Sequence, residues 1–348
     1  MVGFYELAEK ALAMEKAGKK IIRLNIGDTN LPTPECATNA AIESMKKAKA
    51  QYVSSAGTNE FRDKIAEREK CKRENVVVGP GSKALLFALL SVLGKKQVIT
   101  PKPYWPAYRL ICKQLGLEFK TIETSMKNMW SFLIPKLTKD DVLIICNPLN
   151  PTSTEYDNTL IQETINKANK VGAIVIIDEA YKGLAFKEIP IYENAIRLRS
   201  FSKEFNMEGW RIGYAIAPKE VVEKITRFNQ ITITCVPPFA QKAGIACLEN
   251  ENEILERNKQ IWETRSQTTQ TLLQRAGFEF VKPDGGIYIF ATHPNIKNSD
   301  KFLEMALENG VVVAPGSEFG IDNFIRICLN QPEETMTNAI NKLKLVLR

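Results

Sequence analysis

The sequence predicts an α/β protein, with helices on both faces of a mostly parallel sheet. Between about residues 75 and 217, short apolar runs alternate with longer amphipathic stretches, as in successive strand–helix units. The runs 142–145 and 173–177 are continuous and rich in β-branched residues, which favours strands buried on both faces of a parallel sheet. After Pro237-Pro238 the pattern changes to a long charged helix followed by shorter strands and helices. This change predicts a second, smaller α+β region.

The elements follow in order along the chain. Apolar runs predict strands at residues 75–78, 97–100, 141–146, 173–177, 196–199 and 212–217. Amphipathic stretches predict helices at residues 82–93, 106–115, 159–170 and 239–249, and a long one from 252 to about 276. We therefore expect a large domain over residues 28–250, and a small domain formed by residues 1–27 together with 251–348.

The composition is that of an ordinary globular protein. Apolar residues make up 44% of the 348 residues and charged residues 25%, which argues against disorder, collagen-like repeats and coiled coil. The longest strongly apolar run, residues 84–93, is too short to span a membrane. The first twenty residues mix acids and bases and lack the apolar core of a signal peptide. We expect a cytoplasmic protein with no membrane partner.

Charge, cysteine and histidine content exclude several functions. The net charge of +7 is spread along the chain, without the concentrated basic stripe of a nucleic-acid-binding surface. The seven cysteines are scattered and form no C-x-x-C pair, which argues for a reducing compartment and against a disulfide framework or a zinc site. The lone histidine, His293, excludes multi-histidine metal sites, and we expect it on a surface loop. No metal is predicted.

Polar side chains follow four of the predicted strands. Because the carboxyl ends of parallel strands meet at one edge of a sheet, these side chains are expected to converge there. Together they supply an amide, a carboxylate with a phenol, a serine with a lysine, and a helix N-terminus suited to an anion. Such a set indicates an anionic, nitrogen-containing ring that is bound covalently by an amine. The segments are Gly79-Pro-Gly81-Ser82-Lys83, Asn147-Pro-Leu-Asn150-Pro-Thr, Asp178-Glu-Ala-Tyr181 and Ser200-Phe-Ser202-Lys203.

Each segment alone has a plainer interpretation. Gly81-Ser82-Lys83 fits an ordinary helix N-cap, and it lacks the spacing of a P-loop. Asp178 fits a helix cap or a satisfied buried acid, and Asn150 fits a turn residue. Lys203 is one of many lysines, most of which are solvated. The prediction therefore depends on the order and spacing of the whole set.

The segment Ser200-Phe-Ser-Lys203, followed by Gly209-Trp-Arg211-Ile-Gly213-Tyr, resembles the cofactor-lysine signature of class I aminotransferases. These are pyridoxal-phosphate (PLP) enzymes of fold type I. The resemblance covers nearly the whole chain and implies a mostly parallel seven-stranded sheet, a smaller α+β domain and PLP as the cofactor. Its other segments are Asn25-Ile-Gly27-Asp, Tyr52 with Ala56-Gly57-Thr-Asn-Glu-Phe-Arg62, Pro103-Tyr-Trp105-Pro-Ala-Tyr108, Asn147–Thr152, Asp178–Tyr181, Pro315-Gly-Ser-Glu-Phe-Gly320 and Phe324-Ile-Arg326.

The resemblance implies roles for the residues around the cofactor ring. Lys203 would form the Schiff base with PLP and then move a proton between the substrate α-carbon and the cofactor. Asp178 would pair with the pyridine nitrogen, which keeps the ring an electron sink. Tyr181 and Asn150 would hydrogen-bond the phenolic oxygen of the ring, and Trp105 would stack on its face. Lys203, Asp178 and Tyr181 are thus the predicted catalytic residues.

It also implies ligands for the two anionic groups. The cofactor phosphate would be held by Ser82, Lys83, Ser200 and Arg211, and by Tyr52 of the neighbouring subunit of a homodimer. Arg326 would bind the substrate α-carboxylate with both arms of its guanidinium fork. Gly27, Trp105 and Asn150 complete the predicted substrate site.

We therefore expect ping-pong transfer of an amino group between an amino acid and a 2-oxo acid, with glutamate and 2-oxoglutarate as one pair. The alternatives are a β-lyase or decarboxylase on the same scaffold, a histidinol-phosphate-type aminotransferase, and a non-catalytic module that binds PLP or an effector. The Asn25-Ile-Gly27-Asp segment favours the general amino-acid branch, but the preferred amino acid does not follow from the sequence. Two positions depart from the family pattern: Ser153 stands in place of the usual glycine, and Leu149 in place of the commoner asparagine.

Overall fold

The computed structural model describes residues 4–47 and 51–347. Its helices are Phe4–Lys16 (α1), Glu35–Lys47 (α2), Asn59–Arg68 (α3), Ser82–Val92 (α4), Ala107–Leu115 (α5), Asn158–Lys170 (α6), Phe201–Glu204 (α7), Lys219–Thr232 (α8), Pro238–Glu249 (α9), Glu251–Arg275 (α10), Ser299–Glu308 (α11) and Glu333–Val346 (α12). Its strands are Ile22–Arg23 (β1), Val76–Gly79 (β2), Gln97–Pro101 (β3), Glu118–Ile122 (β4), Asp141–Cys146 (β5), Ile174–Asp178 (β6), Ile196–Ser200 (β7), Gly213–Ile216 (β8), Glu279–Phe280 (β9), Tyr288–Thr292 (β10), Val311–Val312 (β11), Ala314–Pro315 (β12) and Phe324–Cys328 (β13).

Seven strands form the central sheet, in the order β2-β8-β7-β6-β5-β3-β4. Strand β8 runs antiparallel to β2 and β7, and the other neighbouring pairs are parallel. The predicted α/β class and the mostly parallel seven-stranded sheet are confirmed. The apolar runs predicted only six of these strands. The seventh, β4, is the edge strand and is only half-buried, with polar residues at alternate positions, so its sequence lacks the continuous apolar run of the central strands.

Helices cover both faces of the sheet, because alternate residues of each buried strand point to opposite sides. On one face, Ile144 and Ile176 pack with apolar residues of α4, α5 and α8. On the other face, Ile145 and Ile177 pack with residues of α6. Near the β2 edge, a further core joins the sheet to α3 and α9. The strand ends are thereby held rigidly, and the loops after them are fixed in position.

A second region follows α9. A four-stranded antiparallel sheet, in the order β12-β13-β10-β9, packs with α10, α11 and α12 around a core that includes Trp262 and Ile289. Strand β1, near the N-terminus, pairs in parallel with β11. The N-terminal segment therefore contacts the C-terminal region, although the predicted domain boundaries at residues 27 and 250 remain predictions. Within residues 4–47 and 51–347, no helix is long and apolar enough to cross a membrane.

Candidate active site

A cavity of about 510 Å³ lies at the carboxyl ends of β5, β6 and β7. Its volume is within the usual range for a small-molecule site. Every predicted site residue except Tyr52 lines it: Gly27, Ser82, Lys83, Trp105, Asn150, Asp178, Tyr181, Ser200, Lys203, Arg211 and Arg326. The structure thus brings together residues that are up to 299 positions apart in the sequence (326 − 27).

Asp178 is the last residue of β6 and is almost fully buried. Its carboxylate accepts hydrogen bonds from the Tyr108 hydroxyl at 2.7 Å and from the Ala180 backbone N–H at 3.2 Å. Both donors are neutral, so burial dominates and raises the pKa of Asp178 to about 6. A cationic group placed beside this carboxylate would counter the cost of burying its charge. The site suits a protonated ring nitrogen.

Lys203 lies in α7, the short helix that directly follows β7. Its Nζ donates a hydrogen bond to the Gly27 carbonyl and lies 3.5 Å from a carboxylate oxygen of Glu208. The same Glu208 oxygen accepts the backbone N–H of Thr29 at 2.8 Å. The lysine amine is therefore held inside the cavity, against the loop of residues 27–29.

An anion-binding surface forms where α4 begins. The first N–H groups of a helix have no partner inside it, and Gly81 at the N-cap position provides no side-chain acceptor for them. Gly81 has φ +85, and a Cβ added there would come within 2.4 Å of Arg211 Nη2. Glycine at this position therefore lets the Arg211 guanidinium lie directly against the helix N-terminus. The Arg211 guanidinium also donates hydrogen bonds to the carbonyls of Glu208 at 2.7 Å and Pro80 at 3.2 Å.

Lys83 adds a further positive charge to this end of the cavity. Its Nζ lies 5.2 Å from the ring centroid of Trp105. Burial and the nearby cations Arg211 and Lys203 lower the pKa of Lys83. An anion bound among these groups would relieve their mutual repulsion, so the residues present fit a phosphate.

Asn150 and Tyr181 meet at the centre of the cavity. Asn150 Nδ2 lies 3.5 Å from the Tyr181 hydroxyl, which in turn shares a 3.0 Å hydrogen bond with the hydroxyl of Tyr288. Burial raises the pKa of Tyr181 well above its ordinary value. The phenol is therefore a neutral hydrogen-bond donor in this environment.

Arg326 lies on β13 with only 5% of its surface exposed. Its two Nη atoms donate to Asn150 Oδ1 at 3.0 Å and to the Asn25 carbonyl at 2.6 Å. The guanidinium also lies 4.2 Å from the centroid of the Tyr288 ring. Within the described part of the chain, Nε has no hydrogen-bond partner and no carboxylate forms an ion pair with this arginine. A buried cation without a counter-charge is suited to bind an anionic ligand.

Two residues singled out in the sequence lie outside the cavity. Tyr52 is 85% exposed, so the single chain does not bring it to the other predicted phosphate ligands. His293 lies just after β10, where its ring packs edge-on against Phe278. It is half-buried and does not line the cavity.

Sequence reasoning missed two cavity residues with polar side chains in direct contact with the predicted set, Glu208 and Tyr288. Glu208 lies between Lys203 and Arg211 in the sequence, which was a signal that could have found it. Tyr288 follows Gly285-Gly286 at the start of a strand outside the central sheet. Its sequence context is that of an ordinary buried strand residue, so only the packing of the two sheets reveals it.

The comparisons with known proteins agree with this site. The sequence model of the family "Aminotransferase class I and II" matches residues 19–343, and the chain belongs to this family. An aspartate aminotransferase from Thermococcus kodakarensis is 36% identical over 315 residues, which cover 88% of this chain and 84% of that protein. An aspartate aminotransferase from Pyrococcus horikoshii is 30% identical, over 98% of this chain and 93% of that protein.

Solved structures show the same likeness in three dimensions. The structure of an aspartate aminotransferase from Thermotoga maritima superposes with a TM-score of 0.90 at 28% identity, covering 98% of this chain and 95% of that one. An aspartate aminotransferase from Thermus thermophilus with maleate gives a TM-score of 0.92 at 25% identity, with the same coverage. The protein is a PLP-dependent aminotransferase of fold type I, as its sequence resemblance implied.

Proposed function

We propose that the protein transfers the amino group of an acidic amino acid, aspartate, to 2-oxoglutarate. The observation that carries amino-acid binding and amino-group transfer is Arg326, a buried guanidinium without a counter-charge in the cavity that also holds Lys203 and Asp178, and it fits the α-carboxylate that every amino acid has. Such a group pairs with a carboxylate through two parallel hydrogen bonds. The names of the relatives support aspartate as the amino donor.

When bound, PLP supplies an electron-withdrawing ring that makes the substrate α-carbon acidic. Asp178 would keep the proton on the ring nitrogen, because its buried carboxylate has only neutral partners and a cation beside it would offset the cost of burial. Lys203 Nζ would hold the cofactor and would carry the proton to and from the substrate α-carbon. Tyr181 and Asn150 would donate hydrogen bonds to the ring oxygen, and Trp105 would pack against the ring face.

The N-terminus of α4 would hold the phosphate. There Ser82 and Lys83 would contribute the first helical N–H groups and an ammonium, Arg211 a guanidinium, and Ser200 a hydroxyl at the end of β7. Arg326 would bind the α-carboxylate, with Gly27 lining the same cavity.

A screen of single half-reactions tests the substrate. Each amino acid is mixed with the PLP-loaded enzyme without a 2-oxo acid, and the absorbance of the lysine-bound cofactor is followed. We expect aspartate and glutamate to react fastest and at the lowest concentrations. A faster reaction with apolar or aromatic amino acids would contradict the acidic substrate.

The same experiment distinguishes other PLP reactions. An aminotransferase without an acceptor releases no more than one 2-oxo acid per site and then stops. A decarboxylase or β-lyase continues to turn over, so product in excess of the enzyme would overturn the proposed reaction.

The active unit is proposed to be a homodimer in which Tyr52 reaches the phosphate site of the partner subunit. Supporting this, Tyr52 is itself 85% exposed, and two further apolar side chains, Ile231 in α8 and Phe239 in α9, are 83% and 37% exposed. A hydrogen bond from Asn229 Nδ2 to the Ser55 carbonyl joins the Tyr52 segment to α8. An exposed apolar surface of this kind marks a protein interface.

Subunit mixing tests the shared site. Tyr52→Ala and Lys203→Ala would each inactivate both sites of their own homodimers. In a random mixture half of the dimers are mixed, and each contains one intact site, so about a quarter of wild-type activity is expected. Activity no greater than that of the separate variants, or a fully active monomer in sedimentation, would contradict the shared dimer.

The proposed location is the cytoplasm. The support is the pattern of seven scattered free cysteines, which suits a reducing compartment. Recovery of the enzyme with the cytosolic fraction of its cells is expected, and recovery with exported protein would contradict it.

A further inference from the structure

Ser153 joins the central sheet to the segment that leads into β10. It lies in the loop after β5 and is almost fully buried. Its hydroxyl oxygen accepts the backbone N–H of Tyr288 at 3.1 Å. Its carbonyl accepts the N–H groups of Asp284 at 2.8 Å and Gly285 at 3.1 Å. Ser153 thus accepts three backbone N–H groups of the segment 284–288, those of Asp284, Gly285 and Tyr288.

The backbone of Ser153 has φ +58, in the left-handed region that favours glycine. The serine therefore adopts a backbone conformation that is unfavourable for a residue with a side chain. The facing residue, Gly286, comes so close that an added Cβ would lie 2.7 Å from Ser153 Oγ. The contact is therefore tight and specific to the hydroxyl.

Tyr288, the residue held by this hydroxyl, touches three parts of the substrate site. Its hydroxyl shares a 3.0 Å hydrogen bond with the hydroxyl of Tyr181. Its ring centroid lies 4.2 Å from the guanidinium carbon of Arg326. Its hydroxyl also fills the space beside Gly27, where an added Cβ would come within 1.8 Å of it.

We propose that Ser153 is a positioning residue: by fixing the start of β10, its hydroxyl holds the Tyr288 ring against Arg326 and Gly27 and thereby sets the affinity for the substrate carboxylate. The inference rests on the proposed role of Arg326. The Ser153 hydroxyl accepts the backbone N–H of Tyr288, and the ring of the same tyrosine packs on the Arg326 guanidinium. The start of β10 is also held by its pairing with β13 at Cys328, so loss of the hydroxyl removes one of several restraints and lets the Tyr288 ring shift relative to the guanidinium.

The test uses succinate, a dicarboxylate that lacks the amino group and so binds without reacting. Its dissociation constant is measured calorimetrically on the PLP-loaded enzyme. Ser153→Ala is expected to weaken succinate about two- to ten-fold, the effect of losing one hydrogen bond. The KM for amino acids should rise by the same factor with little change in kcat. Unchanged succinate binding would overturn the proposal.

Two further variants separate positioning from general damage. Ser153→Gly also removes the hydroxyl but suits φ +58, so it should weaken succinate without lowering the unfolding temperature. Thr154→Val removes a neighbouring buried hydroxyl whose side-chain partner is Thr152, and it should leave succinate binding unchanged. Equal weakening by Thr154→Val would show that any change in this loop acts on the site, and would overturn the specific role of Ser153.

A double-mutant cycle identifies the path. In a Tyr288→Leu enzyme, Ser153→Ala should have no further effect on succinate, because the ring through which it acts is gone. The same two- to ten-fold loss in that background would overturn the inference. A wrong role for Arg326 gives a different result from a wrong role for Ser153. If Arg326 does not bind the substrate carboxylate, Arg326→Lys would leave succinate binding unchanged, whatever the Ser153 variants do.

Discussion

Two groups of buried charges lie side by side at the carboxyl end of the central sheet, and they differ in whether their charges are paired. In the cavity, Asp178 has neutral partners only, and Arg326 has no counter-charge in the described structure. Next to the cavity is a buried ion cluster with four cations and four anions. Its members are Arg68, Glu69, Glu179, Lys182, Arg197, Arg199, Glu204 and Glu251.

The pKa values reflect this difference. Burial alone would raise the pKa of Glu69, but the neighbouring guanidinium groups, Arg199 first among them, hold it at about 2. Asp178 has no cation beside it, so burial raises its pKa to about 6. A paired buried charge contributes to the fold, whereas an unpaired one is kept for a ligand.

The two groups are interleaved in the sequence. Asp178 lines the cavity while Glu179 belongs to the ion cluster, and Lys203 lines the cavity while Glu204 belongs to the cluster. The same alternation separates Ser200 from Arg199 on β7. Arg199 and Ser200 are adjacent residues of β7 and therefore point to opposite faces of the sheet. The other two pairs lie at the end of β6 and in the short helix α7, and there too one step along the chain separates a ligand-binding group from a structural one.

The largest effect on activity is expected at Lys203. Lys203→Ala removes the amine that binds the cofactor and carries the substrate proton, so transamination should fall by several orders of magnitude. The unfolding temperature should change little, because the amine has no role in the ion cluster. Borohydride reduction followed by peptide mapping should find the cofactor on Lys203 in the wild type. The control is Lys96→Ala, an exposed lysine paired with Asp140, which should keep full activity.

The largest effect on stability is expected one residue further, at Glu204. Glu204→Gln leaves Arg199 and Arg68 without the carboxylate that both contact, at 2.8 and 2.9 Å. Removing one partner of a buried pair costs about 3–5 kcal/mol, measured as the free energy of unfolding in urea. Glu223→Gln, an exposed residue of α8, is the matched control and should cost less than about 0.5 kcal/mol. If the two variants had the same free energy of unfolding, the buried ion cluster would contribute no more to stability than an exposed charge.

The pH dependence of stability sharpens the comparison at Asp178. The folded protein without cofactor holds a proton on Asp178 up to a pKa of about 6, whereas the unfolded chain releases it near 3.8. The folded state therefore binds more protons between pH 4 and 6, and the contribution of Asp178 to stability falls as pH rises through this window. Asp178→Asn removes this contribution, so wild type should lose about 2 kcal/mol relative to the variant from pH 4 to pH 6. The free energy of unfolding is measured in urea at each pH for both proteins. The same pH dependence in wild type and Asp178→Asn would contradict an unpaired carboxylate at this position.

A smaller effect on activity than at Lys203 is expected at Arg326, because the charge is kept. Arg326→Lys replaces a two-pronged guanidinium by a single ammonium, which should cost about 1.5–3 kcal/mol of substrate binding, or ten- to a hundred-fold in half-reaction constants. The affinity for PLP should stay within about two-fold of wild type. Unchanged constants for every amino acid would remove Arg326 from the substrate site.

The central part of the fold was predictable because it is encoded locally. The apolar runs of β5 and β6 are buried on both faces, so their sequences alone indicate parallel strands. The edge strand β4 was missed because half of it faces solvent and its polar residues interrupt the pattern. Observed boundaries differ by a residue or two from the predicted ones, as at β8, where the structure has Gly213–Ile216 and the pattern suggested 212–217.

By itself, the sequence determined the α/β class, the order of the polar segments after the strands, and the family resemblance that implies PLP and transamination. Those signals depend on residues close together in the chain, where periodicity and spacing are readable. Tertiary structure alone decided that Tyr288 packs on Arg326, that Ser153 reaches across to hold it, and that Glu179 and Glu204 belong to an ion cluster rather than to the cavity. These are contacts between residues up to 136 positions apart, the separation of Glu204 from Arg68 (204 − 68). No local pattern records such contacts, because they depend on how two sheets pack against each other.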